Sequence, residues 1–98
     1  MLTGKQKHYL KAIATSFPAV VQIGKDGLTD SVIKSASDVL EARELIKVKI
    51  NQNSIADIRK AAEIFSQRLN AEIVQIIGRN CILFKQKKED KKSHYNLP

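Results

Sequence analysis

Helical and extended periodicities alternate along this chain, and that alternation restricts its fold more than any other feature. Leu10, Ile13, Ala14 and Phe17 recur at the i, i+3, i+4, i+7 spacing of one helix face. Thr3-Gly4-Lys5-Gln6 just before them has the form of a capping box, and Pro18 ends the helical run. A first helix is therefore predicted over residues 4–15. Residues 19–23 form a short apolar, β-rich run. Thr29 then offers an N-cap to a second helix over 30–44, whose inner face is Val32, Ile33, Ala36, Val39 and Leu40. Residues 46–50 alternate strictly, with Ile46, Val48 and Ile50 on one face and Lys47 and Lys49 on the other. Ser54-Ile55-Ala56-Asp57 matches a capping pattern, and Ile58, Ala61, Ala62, Phe65 and Leu69 give a third helix over 55–69. Strands are predicted at 71–77 and 81–85, joined by a three-residue loop, Gly78-Arg79-Asn80.

The order is thus α-β-α-β-α-β-β. A helix between two strands implies a parallel pair, and the final hairpin adds an antiparallel strand. The fold class is therefore α/β, a two-layer sandwich with a mixed four-stranded sheet. Periodicity leaves the strand order open.

At 98 residues the chain has room for one domain. Residues 1–86 carry all the periodic segments. Residues 87–98 open on the charge run Lys87-Lys88-Glu89-Asp90-Lys91-Lys92 and are predicted to form a disordered tail. The formal net charge is +7, which in so small a domain points to an anionic partner, nucleic acid before an anionic membrane surface. The alternative is a charge that serves only solubility. Cys81 is the single cysteine, so no intrachain disulfide is possible. No apolar run is long enough to span a bilayer and no leader pattern is visible, so a cytoplasmic protein with no membrane partner is expected.

Gly24-Lys25-Asp26-Gly27 lies between the first strand and the second helix. Two glycines three apart let a backbone turn tightly and approach a ligand without Cβ interference. A helix that starts beyond such a loop offers free N–H groups and the positive end of its dipole, and phosphate is the natural guest. A GxxG loop clamps nucleotide backbone in this way in KH domains. Lys25 adds positive charge there, while Asp26 opposes it. The alternative is a plain connection between strand and helix.

Lys5, Lys7 and Lys11 on the first helix, Lys47 and Lys49 on one strand face, Arg79 at the hairpin tip and Lys85 at the end of the last strand are the remaining candidate RNA contacts. Each taken singly is also an ordinary solvated face. The second helix is a poor RNA surface, because Asp30, Asp38, Glu41 and Glu44 outnumber Lys34 and Arg43. Aromatics are few and Phe17 and Phe65 fall at core positions, which argues against base stacking on the sheet. His8 and His94 are far apart, Cys81 falls in a strand, and no Cys/His spacing suits zinc. The chain is read as non-catalytic, with no cofactor, metal or small-molecule substrate. It is either an RNA-binding protein or a protein-interaction adaptor whose basic charge is not RNA-specific.

Several stretches, in order, resemble one family: Gly4-Lys5-Gln6, Pro18, Val21-Gln22-Ile23-Gly24-Lys25-Asp26-Gly27-Leu28-Thr29, Glu44-Leu45-Ile46-Lys47-Val48-Lys49, Val74-Gln75-Ile76-Ile77-Gly78 and Leu83-Phe84-Lys85. Together they resemble the YhbY-type single CRM domain, the chloroplast RNA splicing and ribosome maturation module, over residues 2–86. The resemblance implies a fold like the C-terminal domain of translation initiation factor three. It also implies an association with precursors of the large ribosomal subunit, hence ribosomal RNA as the partner. It assigns RNA contact to Gly24, Lys25, Asp26 and Gly27, and a basic surface to Lys5, Lys47, Lys49 and Lys85. Arg43 stands where a histidine is usual in this family, and Phe84-Lys85 where tyrosine–arginine is usual.

Overall fold

The computed structural model describes residues 2–54, 56–87, 95, 97 and 98. Its elements run α1 (Gly4–Ala14), β1 (Val21–Ile23), α2 (Asp30–Arg43), β2 (Leu45–Ile50), α3 (Ile58–Leu69), β3 (Glu72–Ile77) and β4 (Asn80–Phe84), in the expected order. The capping box of α1 is formed in both directions. Thr3 Oγ1 accepts from the Gln6 amide at 3.1 Å, and the Thr3 amide donates to Gln6 Oε1 at 2.9 Å. Thr29 caps α2 by accepting from the Val32 amide at 3.2 Å.

Three local expectations are corrected. α3 starts at Ile58, because Ser54 spends its hydroxyl on the Ala56 amide, 3.1 Å away. Asp57 is the cap instead and accepts from the Arg59 amide at 2.8 Å. Serine and aspartate both compete for nearby backbone amides, and the serine here makes a local turn. The hairpin loop has two residues, since Ile77 pairs with Asn80; Gly78 supplies a positive φ of 56°. Glu44, expected on the acidic outer face of α2, is fully buried at its end with φ 66°. Its carboxylate Oε2 accepts from the Lys87 amide at 3.0 Å.

The sheet order is β1-β2-β4-β3. β1 and β2 are parallel, and β4 lies antiparallel between β2 and β3. Alternate residues of β2 and β4 face opposite ways. Ile46, Val48, Cys81 and Leu83 join the core under α2 and α3, closed by Ile33, Leu40 and Phe65. Leu45, Ile82 and Phe84 join a second cluster with Leu10 and Ala14. α1 thus lies on the far face of the α2/α3 sandwich, against β2 and β3.

Most of the expected tail, residues 88–94 and 96, lies outside the described residues. Tyr95 meets the Phe84 ring edge-on with centroids 6.0 Å apart, Leu97 packs on the second cluster, and Gln6 Nε2 donates to the Pro98 carbonyl at 3.2 Å. The charge run hides these two apolar residues from a reading by composition.

Candidate nucleic-acid interface

Gly24 to Gly27 form one tight turn at the end of β1. The Gly27 amide donates to the Gly24 carbonyl at 3.0 Å, which leaves Lys25 and Asp26 exposed at the tip. Gly27 is buried with φ 74°, a left-handed conformation in which a side chain is strained. Gly24 has no such constraint, and a Cβ built on it meets nothing within 4 Å. The fold therefore requires a glycine at 27 and not at 24. A bare backbone that the fold does not need suits close approach by a ligand.

That difference sets an expected result. Gly24→Ala should melt within about 2 °C of the parent, and Gly27→Ala should melt about 5 °C lower, from roughly 1 kcal/mol of backbone strain. Gly24→Ala should nevertheless bind RNA about fivefold more weakly, by keeping the phosphate backbone off the turn. Melting curves and fluorescence anisotropy check both. A Gly24→Ala protein with parental affinity would make the turn a plain connection.

The sheet topology decides which candidates meet. The Ile50 amide donates to the Arg79 carbonyl at 2.8 Å, and the Asn51 amide to the Ile23 carbonyl at 2.9 Å. These bonds tie the hairpin tip, the end of β2 and the end of β1 together. Lys25, Lys49 and Arg79, all exposed, consequently share one end of the sheet with the glycine turn. Lys49 pairs with Gln22 on one side and Asn80 on the other, on the outer face of the sheet. Ile77, 57% exposed, stands beside them.

α2 does not begin directly at the turn, because Leu28 and Thr29 intervene. The first turns of α3 stand there as well: Asp57 and Lys60 line a shallow cleft with Asp26 and Gly27. Lys60 was missed, although its signal was present. Helices that come after two parallel strands both start at the strands' C-terminal ends.

The other candidates lie elsewhere. Lys47 is half-buried, and its Nζ donates to the Thr15 carbonyl at 3.3 Å, just past the C-terminal end of α1, where a cation suits the dipole. Lys5 and Lys11 are exposed and Lys7 half-buried along α1. Lys85 is at the opposite end of the sheet from the turn, its amide donating to the Glu44 carbonyl at 2.8 Å. The six residues of β2 separate the two ends by about 20 Å. The lysines thus form an end group, a row on α1 and a far group, instead of one patch.

Cys81 is buried between the sheet and the helices, and burial pushes its thiol up to about 12. It is a core residue held as the neutral thiol. The Tyr95 phenol is raised first by burial, then by Glu44 and Tyr9. Among the described residues no helix is long and apolar enough to cross a membrane.

The family model of the CRS1 / YhbY (CRM) domain matches residues 2–85, from the residue before the α1 cap to the residue after β4. The chain belongs to this family. The Bacillus subtilis protein named "Probable RNA-binding protein YqeI" is 43% identical over 91 residues, covering 93% of this chain and 95% of that one. A Haemophilus influenzae protein named "RNA-binding protein" is 32% identical over 90 residues, covering 92% and 91%. The solution structure of the hypothetical protein SAV1595 from Staphylococcus aureus superposes with a TM-score of 0.80 over the whole of both chains, at 43% identity. The CRM fold expected from the resemblance is the fold described above.

Proposed function

We propose that this CRM protein binds RNA in the cytoplasm through its glycine turn, and acts there in assembly of the large ribosomal subunit. The observation that carries the reading is Gly24. It is a glycine the fold does not need, in a turn that shares its end of the sheet with Lys25, Lys49 and Arg79. Amides and cations, with no aromatic ring beside them among the described residues, suit recognition of phosphate and shape, as structured RNA offers. The names carried by the Bacillus and Haemophilus relatives support RNA as the ligand. The ribosomal role extends the resemblance to the YhbY type.

A sucrose gradient of cell lysate tests the proposal. At low salt the protein should sediment with free or immature large subunits and not with polysomes, and at moderate salt it should move to the top, since phosphate contacts are lost with added salt. Cells lacking it should accumulate abnormal large-subunit precursors, most visibly in the cold. A protein found only at the top even at low salt, with a normal subunit profile in the deletion, would end the assembly role and leave RNA binding to be measured directly.

A further inference from the structure

At the end of the sheet opposite the glycine turn, a cleft of about 420 Å³ opens between Phe17, Pro18, Arg43, Lys47 and Tyr95. We propose that this cleft takes one unpaired nucleotide of a bound RNA, its base against the Tyr95 and Phe17 rings and its phosphate between Arg43 and Lys47. The proposal rests on the RNA reading above and adds a second contact to it, of a different kind.

The volume falls in the range of small-ligand pockets. Its walls come from separate parts of the chain, each held in place. The Phe17 amide donates to the Ala14 carbonyl at 3.0 Å, fixing the connection from α1 to β1. Phe17 and Tyr95 both pack on the second core cluster while remaining half-buried, so each ring keeps an accessible part. The edge-on contact with Phe84, at 78° between planes, holds the Tyr95 ring at a set angle. Ordered aromatic side chains at a basic cleft are how proteins stack single-stranded bases.

Charge selects the occupant. Arg43 is exposed in the last turn of α2, and Lys47 reaches the Thr15 carbonyl on the other side. Lys85 and Lys87 lie at this same end, tied by their amides to Glu44. Among the described residues the acidic groups at this end are Glu44, fully buried with its carboxylate on the Lys87 amide, Glu41 in the last turn of α2 and Glu72, which pairs with Phe84; none of them lines the cleft. The surface offered to a ligand is therefore cationic with aromatic walls, which fits a flat base joined to a phosphate. The two RNA contacts would lie about 20 Å apart along β2.

The full chain with a single-stranded RNA of about twelve nucleotides, substituted with thiouridine, tests this. Photocrosslinks should map to peptides containing Phe17 or Tyr95 as well as to the glycine turn. Arg43→Ala and Tyr95→Leu should each lower affinity about fivefold. Arg43→Ala removes an exposed side chain, so its melt should be parental. Lys25→Asp, at the other end, reports on the RNA reading by itself. If Lys25→Asp weakens binding while Arg43→Ala and Tyr95→Leu bind like the parent and no crosslink reaches Phe17 or Tyr95, the cleft proposal is overturned and the RNA reading stands. If the parent chain binds no RNA, both fall. Capture of an acidic protein segment in the cleft, with no crosslink to RNA there, also overturns the proposal.

Discussion

Lys25→Asp combined with Lys49→Glu and Arg79→Glu is expected to weaken RNA binding about a thousandfold while the thermal melt stays within a few degrees. All three side chains are exposed, and the bonds that close this end of the sheet run through backbone atoms, the Arg79 carbonyl among them. The fold therefore loses little. The ligand loses three cations and meets three new repulsions, each worth about tenfold, or ~1.4 kcal/mol. If the parent neutralises about four phosphates, its log K against log salt should slope near −3 on single strands, and the triple variant near −1. A reversal at Arg68, in the last turn of α3 at the other end, should change affinity less than about threefold. Anisotropy titrations at several salt concentrations read all of this. A folded triple variant weakened by less than tenfold would move the grip on RNA away from the glycine turn.

Local signals carried most of the fold. The T-x-x-Q box, Pro18, Thr29 and the strict alternation of residues 46–50 each act within a few residues, and each element they predict is present. Strand order is different in kind, because it depends on which distant strands pair. Even so, a sign of it lay in β4. Cys81-Ile82-Leu83-Phe84 is apolar without alternation, and such a run belongs to a central strand covered on both faces. A strand of that kind calls for a helix over each face. α1 supplies the second cover, with Leu10 and Ala14 against Ile82 and Phe84. Ser54 and Asp57 misled for the opposite reason: both are good caps, and only the path of the chain decides which one meets the first turn.

The glycine turn was legible because Gly27 answers a backbone need, its φ of 74°, and both glycines show as letters. The grouping of cations was not. Lys47 and Lys49 sit two apart on one strand face, yet one ends on the Thr15 carbonyl and the other stands open beside Gln22 and Asn80. Lys60 reaches the turn only through the topology that starts α2 and α3 at the same sheet end. Phe17 had the spacing of a core residue and is one in part, with the rest of its ring on the cleft.

Cys81 in the folded protein should react with iodoacetamide at pH 8 about a thousandfold more slowly than in the unfolded chain. The reactive species is the thiolate. An unfolded thiol titrates near 8.5 and is partly ionised at pH 8, whereas burial holds this one up to about 12. Ionisation accounts for the factor of about 10³ before any shielding of the sulfur by Val48 and Ile76, its neighbours across the sheet. The same difference links stability to pH. Below about pH 8 the thiol is neutral in both states, and its contribution to stability is complete. Between roughly 8.5 and 12 the unfolded chain gives up the proton and the folded chain keeps it, so stability falls with rising pH, by up to about 1.4 kcal/mol per unit. Cys81→Ala lacks the thiol and should show a correspondingly shallower loss. Denaturant titrations of both proteins at pH 8 and pH 10 should therefore show the parent's advantage shrinking by about 2 kcal/mol. A native Cys81 that alkylates at the rate of a free thiol, or a gap between the two proteins that stays constant with pH, would place this sulfur in contact with water and remove it from the core between β4 and α3.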